Sequence, residues 1–154
     1  MRTDGKMSKQ FVILLAEDDP NDVFLIKRAL KKGGINNPVQ VVHDGREARD
    51  YLEGNGKYAD RQRHPLPELI LLDIKMPRMT GLEVLEWLRK VDDLKRLPVM
   101  IMSSSDRQDD INRAYESGVN AYLVKPNAFE DFVNVLKKTT DFWKDAVAHP
   151  EVIR

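Results

Sequence analysis

Cysteine is absent from the 154 residues, so the chain cannot form disulfides or bind a metal through thiolates. An excess of one charge is also missing, because 25 lysines and arginines balance 25 aspartates and glutamates, and no overall basic field attracts nucleic acid. No apolar run approaches the roughly 20 residues of a membrane span, and residues 1–10 lack the apolar core of a secretory signal. We therefore expect a cytoplasmic protein that neither binds DNA nor crosses a membrane.

The remaining composition is typical of a globular protein, with 42% hydrophobic and 32% charged residues. The length suits one domain with one core. We expect a flexible N-terminus over residues 1–9, a domain over residues 10–143 and a C-terminal extension over residues 144–154. The long, charged connection over residues 54–67 contains two prolines, which favours a surface elaboration over a domain linker.

Five short apolar segments alternate with stretches of helical spacing. The segments are residues 11–16, 39–42, 69–72, 99–102 and 121–124. The last helical stretch carries the apolar stripe Phe129, Phe132, Val133, Leu136 and Trp143. Strands that alternate with helices predict βαβ units, and therefore a parallel sheet covered by helices on both faces.

Polar residues that could carry chemistry stand at the positions where four of the predicted strands end. Glu17 and Asp18 follow the first strand, Asp73 the third, Ser103 the fourth and Lys125 the fifth. The carboxyl ends of parallel strands share one edge, so these side chains should meet. Converging carboxylates repel one another unless a cation is present, and oxygen ligands suit Mg²⁺. Together with an ammonium and a hydroxyl, they predict phosphoryl transfer to a carboxylate.

The segments at residues 17–19, 71–81, 98–103 and 122–126 resemble the motifs of response-regulator receiver domains, in that family's order and spacing. The resemblance extends from about Val12 to Trp143. It implies a flavodoxin-like doubly wound α/β fold, (βα)5, with a five-stranded parallel sheet of order 2-1-3-4-5. It also implies a phosphoacceptor in two-component signalling rather than an enzyme with a separate substrate, and Mg²⁺ as cofactor.

The same resemblance implies a role for each motif residue. The implied roles are Asp73 as phosphoacceptor and metal ligand, Asp18 as direct metal ligand, Glu17 as a ligand through water, Lys75 as a ligand through its backbone carbonyl, Ser103 and Lys125 as phosphate contacts, and Ser103 with Tyr122 as switch residues. The Lys125–Pro126 peptide bond is expected to be cis on the same basis.

Each residue also has a purely structural interpretation. Asp73 alone would be an ordinary aspartate that caps a turn, and Ser103 could be a polar helix cap. Asp19 precedes Pro20 and is best explained as a helix N-cap, which leaves Glu17 and Asp18 as the acidic pair.

Tyr122 and the three histidines also have structural interpretations. Tyr122 could be a core aromatic with a satisfied hydroxyl. His43, His64 and His149 have no ligand spacing and are expected at the surface.

Three other functions compete with a phosphoacceptor. A haloacid-type phosphatase needs a second carboxylate two residues after its nucleophile, where this chain has Lys75. A flavodoxin-like cofactor carrier needs a phosphate-binding loop after the first strand, where residues 17–19 would repel phosphate. A receiver that serves only as a scaffold usually loses the acceptor or the lysine, and this chain keeps both.

The expected partner is a histidine kinase or a histidine phosphotransfer protein. Residues 141–150 and the long connection resemble the single-domain response regulators of phytochrome kinases, which implies a homodimer built on the last helix and the tail. Phe142 and Trp143 point about 100° apart on a helix, so Phe142 should face outward if Trp143 continues the stripe. The alternative is a tail that folds back on its own domain.

Overall fold

Helices and strands alternate along the chain in the computed structural model, which describes residues 12–145 and 147–151. The elements are β1 (Ile13–Ala16), α1 (Pro20–Lys32), β2 (Val39–Val42), α2 (Gly45–Glu53), β3 (Leu69–Leu72), α3 (Gly81–Leu88), β4 (Val99–Ser103), α4 (Gln108–Glu116), β5 (Ala121–Val124) and α5 (Phe129–Asp145). The five predicted strands are present, although β1 begins at Ile13, and β4 continues one residue further, through Ser103. Residues 1–9, predicted to be flexible, lie outside the described residues.

The five strands form one parallel sheet of order β2-β1-β3-β4-β5, which confirms the expected fold. β1 lies between β2 and β3 and pairs with both of them. β4 then pairs with both β3 and β5. None of the helices in the described ranges is long and apolar enough to cross a bilayer.

The central strands bury both faces because alternate side chains point to opposite sides. Leu14, Ile70 and Ile101 face one core cluster, with side chains from α2 and α3. Leu15, Leu71 and Met102 face the other, with side chains from α1 and α5. Continuous apolar strands are therefore required, and any polar residue is excluded from them until the strand ends.

Helix ends follow the local chemistry of the sequence. Asp19 caps α1 as expected, and its carboxylate accepts from the backbone N–H of Asn21 at 2.8 Å. Gly33 ends the same helix. Thr80 and Glu83 form a capping box at the start of α3, in which each side chain accepts from the other residue's backbone N–H.

The connection over residues 54–67 lies at the surface, as expected, and packs against α2. The guanidinium of Arg61 donates to the carbonyls of Tyr51 and Leu52, both at 2.8 Å, and of His64 at 3.1 Å. The first two bonds give the carbonyls in the last turn of α2 a charged donor, and the third ties the connection to the same side chain. Arg61 therefore closes the helix and fixes the connection in one contact.

Two of the three histidines are not simple surface residues. His43 is exposed as predicted. His64 is half-buried and its ring packs edge-on against Tyr58, with centroids 5.0 Å apart. The His149 ring stacks on Trp143 at 4.6 Å. Both side chains remain partly exposed, as the prediction of surface positions requires, but each ring also packs on an aromatic side chain a few residues earlier in the chain.

Replacing Arg61 with alanine should lower the free energy of unfolding by about 2 kcal/mol, because three carbonyls lose a charged donor. Urea denaturation measures this loss. Arg63→Ala is the matched control, since that side chain is 83% exposed and its ion pair with Asp60 is 4.0 Å long. Equal stability of the two variants would contradict the role assigned to Arg61.

Candidate functional site

Three carboxylates converge at the carboxyl edge of the sheet, where β1 and β3 lie side by side. The backbone N–H of Asp73 donates to the carbonyl of Ala16 at 3.0 Å, which continues the pairing of these strands past β3. As a result, one oxygen each from Glu17, Asp18 and Asp73 lies within 4.8 Å of the others. The structure thus brings together the three acids that the sequence predicted to meet.

The three acids differ in their burial. Glu17 is 1% exposed, Asp73 is half-buried and Asp18 is exposed. Burial raises the pKa of Glu17 to about 7, against the hydrogen bond from Lys125 that lowers it, and the charge of Asp73 raises it further. Burial likewise raises the pKa of Asp73, opposed by Lys125. A cation at this position would relieve the repulsion between the two buried groups.

Lys125 directly follows β5, and its side chain extends along the sheet edge to the acids, where it neutralises part of their charge. Its Nζ donates to Glu17 Oε1 at 2.6 Å and to Asp22 Oδ2 at 3.0 Å, and only 10% of its side chain is exposed. Burial lowers the pKa of this ammonium, but the hydrogen bond to Glu17 and the nearby carboxylates hold it above its usual value. The Lys125–Pro126 bond was expected to be cis, but every described peptide bond is trans. An X–Pro bond prefers trans by only about 0.5–1 kcal/mol, so tertiary context decides the isomer.

Asp22 is a site residue that the sequence reasoning missed. An acid in the first turn of a helix ordinarily serves only to stabilise that helix, and Asp22 has this position in α1. Its position three residues after the N-cap Asp19 was the available signal, because helical side chains tilt toward the N-terminus and this one leans back to the sheet edge. Asp22 and Glu17 together bind Lys125 from two elements.

Ser103 and Tyr122 contact the same short loop after β4. The Oγ of Ser103 accepts from the backbone N–H of Ser105 at 3.1 Å, and the hydroxyl of Tyr122 donates to the Ser105 carbonyl at 2.8 Å. Ser103 is buried, and the Tyr122 ring packs against the core cluster of α2 and α3. Tyr122 is thus a satisfied aromatic that also holds the loop beside the acids.

The loop between β3 and α3 covers residues 73–80 and begins with Asp73 itself. Burial raises the pKa of the Asp73 carboxylate, and the nearby backbone N–H groups of Lys75 and Ile74 act to lower it. Gly81 passes so close that a Cβ would lie 2.0 Å from the Asp73 carbonyl oxygen. Lys75 itself is exposed, so its backbone and not its side chain is the part next to the acids.

This arrangement combines a half-buried carboxylate with two further acids, an ammonium and a hydroxyl at one open edge. Hard oxygen ligands suit a divalent cation that keeps some of its water. A cation and Lys125 could balance the charge of an incoming phosphoryl group, while Asp73 offers a nucleophilic oxygen. The donor set therefore fits a metal-assisted phosphoryl acceptor.

Comparison with known proteins gives the same class. Residues 13–137 match the family described as the response regulator receiver domain. The chain is 36% identical to response regulator Rcp1 of Synechocystis sp. over 139 residues, which are 90% of this chain and 92% of Rcp1. The chain therefore belongs to the response regulator receiver domain family, a class of two-component signalling proteins.

Solved structures place it near the phytochrome response regulators within that family. The phosphorylated cyanobacterial phytochrome response regulator RcpA aligns with a TM-score of 0.85 and 35% identity, over 92% of this chain and 99% of RcpA. The Mn²⁺-bound form of Rcp1 aligns with a TM-score of 0.81 and 35% identity, with the same coverage of 92% and 99%. The second of these relatives therefore binds a divalent metal.

The buried Glu17 predicts a pH dependence of stability in the metal-free protein. Its pKa is about 7 in the folded state and 4.5 as an ordinary carboxyl, so between these values the folded state binds more protons than the unfolded state. The free energy of unfolding should therefore fall as pH rises from about 4.5 to about 7. Glu17→Gln should flatten this slope, as measured by urea denaturation at several pH values.

Glu130→Gln is the control, because that carboxylate is exposed and pairs with Lys32 at the surface. It should keep the slope of the wild type. A Glu17→Gln protein whose slope matches the wild type would exclude the raised pKa.

Proposed function

We propose that this protein is a Mg²⁺-dependent phosphoacceptor that takes a phosphoryl group from a phosphohistidine onto Asp73. The observation that carries the proposal is the convergence of Glu17, Asp18 and Asp73 within 4.8 Å, with the Lys125 ammonium 2.6 Å from Glu17. In the transfer, a carboxylate oxygen of Asp73 bonds to phosphorus while the bond from phosphorus to the histidine nitrogen breaks. The histidine keeps the electron pair of that bond.

The proposed metal ligands are Asp73, Asp18 and the backbone carbonyl of Lys75, with Glu17 acting through water. The exposure of Asp18 suits direct binding of a hydrated ion. The pairing of Glu17 with Lys125 suits an indirect role. The bound Mg²⁺ would supply charge neutralisation for the phosphoryl oxygens.

Ser103 and Lys125 are proposed to contact the acyl phosphate once it forms. An added phosphoryl group carries about −1.5 to −2 charges, by analogy with other phosphorylated side chains, and would compete with Glu17 and Asp22 for the ammonium of Lys125. Ser103 would turn from Ser105 toward the phosphate. The hydroxyl of Tyr122 is bonded to the same Ser105. Release of Ser105 by Ser103 would therefore also free Tyr122, and we propose that this change passes the signal to α4.

The donor is proposed to be a histidine kinase or a histidine phosphotransfer protein, and by analogy with Rcp1 and RcpA a phytochrome kinase. The protein would assist its own phosphorylation and dephosphorylation without a separate substrate. The cytoplasmic location expected from the sequence stays a prediction.

Asp73→Asn should abolish labelling by acetyl phosphate in the presence of Mg²⁺, because the amide is nearly isosteric but is not a competent nucleophile. Intact-protein mass spectrometry measures the added phosphoryl group. Asp19→Asn is the matched control, since asparagine caps helices as well as aspartate does and Asp19 lies beside the acidic pair. Stoichiometric labelling of Asp73→Asn, or labelling of the wild type without a divalent metal, would refute the proposal.

A homodimer through the last helix is a second proposal, supported by Phe142. This ring is 62% exposed on α5, whereas Trp143 is buried among the stripe residues, so the predicted division of the two rings is confirmed. The tail at residues 147–149 lies on its own domain, with Val147 against the core and His149 on Trp143. Val152 and Ile153 of the C-terminal extension lie outside the described residues. Phe142 is therefore the large exposed apolar side chain that α5 offers to a second copy.

Phe142→Ser should convert the dimer to a monomer at tens of micromolar, because an exposed aromatic is a typical anchor of an interface. Sedimentation velocity distinguishes the two species. Phe24→Ser, on α1, is the matched control because its ring is 61% exposed. A wild type that sediments as a monomer would reject the dimer, and a dimeric Phe142→Ser would place the interface elsewhere.

A further inference from the structure

The first residue of α2 touches the backbone of the loop that carries the phosphoacceptor. A Cβ on Gly45 would lie 1.8 Å from the Met79 carbonyl oxygen and 2.5 Å from its carbonyl carbon, closer than any real Cβ contact. The φ of Gly45 is not in the left-handed region, so its missing side chain is needed for space and not for conformation. The atoms in the way belong to the Met79 backbone, which cannot change rotamer as a side chain can.

The residue before this contact is held in an unusual conformation. Arg78 has a φ of +68°, the only positive φ of a non-glycine residue in the described chain. Its Nε lies 3.7 Å from Asp44 Oδ2, and the same carboxylate accepts from the Glu47 backbone N–H at 2.7 Å as the N-cap of α2. Asp44 therefore caps the start of α2 and also attracts Arg78 of the β3–α3 loop.

Movement at Met79 would reach the backbone of Asp73 through the short contacts of the loop. The backbone N–H of Met79 donates to the Pro77 carbonyl at 2.7 Å, and Gly81 N–H donates to the Ile74 carbonyl at 2.9 Å. The loop thus closes back on its own beginning. Gly81 also lies against Asp73, where a Cβ would be 2.0 Å from the backbone carbonyl oxygen.

We propose that Gly45 is a positioning residue, which sets the β3–α3 loop so that the Lys75 carbonyl and the Asp73 carboxylate are aligned for metal binding and phosphoryl transfer. The inference rests on the proposed function. It assigns this task to the start of α2, an element that contributes no side chain to the three-acid cluster.

Gly45→Ala tests the proposal with two readouts that precede any phosphorylation. In the metal-free protein, hydrogen exchange of the Met79 and Gly81 amides should accelerate. The dissociation constant for Mg²⁺, measured by calorimetry, should rise about tenfold, as for other residues that orient metal ligands. Labelling by acetyl phosphate should slow in parallel and recover at high Mg²⁺.

Val133→Ala is the control for simple loss of stability, because Val133 is buried in the core cluster on the opposite face of the sheet. It should bind Mg²⁺ as the wild type does, although it unfolds at lower urea. Loss of Mg²⁺ affinity by both variants in proportion to their stability, or unchanged affinity and exchange in Gly45→Ala, would overturn the proposal. A wild type that binds no Mg²⁺ would instead refute the proposed function.

If Gly45→Ala does not fold, Asp44→Asn tests whether the contact between the start of α2 and the β3–α3 loop supports Mg²⁺ binding. Asparagine preserves the N-cap but removes the charge that faces Arg78. The dissociation constant for Mg²⁺ should then rise by about threefold, the size expected for a weak ion pair, and the increase should disappear at high salt. No change at low salt would overturn the proposal.

Discussion

The Glu17 carboxylate beside Asp73 is the constraint on which the rest of the site depends. Two acids that are buried or half-buried next to each other repel and lose hydration, and both costs raise their pKa values. The Lys125 ammonium at 2.6 Å offsets part of this cost. Because Lys125 comes from β5 and the acids come from β1 and β3, the pairing also requires the full strand order of the sheet. The charges at this edge are therefore compensated only when these strands are assembled in one sheet.

This balance also explains how such an edge can respond to a ligand. Lys125 is held by Glu17 and Asp22, and Ser103 by the loop at Ser105, so each proposed phosphate contact already has a partner. A new anion on Asp73 therefore has to compete with existing bonds rather than fill a gap. Exchange of partners would move the β4–α4 loop, because Tyr122 is bonded to it. We regard this competition as the physical basis of the proposed switch.

The local signals in the sequence were reliable where a single element decides the outcome. Continuous apolar segments predicted the five strands because both faces of a parallel sheet are buried. Asp19 and Pro20 predicted the start of α1 because caps act within one turn. The acidic pair and Asp73 were found because parallel strands end at a common edge. Asp22 was missed because its partner Lys125 is distant in the chain. The ring contacts of His64 and His149 were missed because irregular segments, and not a helix or strand pattern, bring each ring onto a nearby aromatic side chain.

The sequence by itself determined the strands, the helix caps and which residue types stand at the carboxyl edge, because these follow from burial patterns and from bonds within a few residues. The tertiary structure alone decided which acid is buried, that Lys125 binds Glu17 and Asp22, and that Gly45 lies against Met79. It also decided that the connection over residues 54–67 closes α2 through Arg61. These outcomes depend on distances between elements, which are set when the sheet and its helices pack together and which no local pattern encodes.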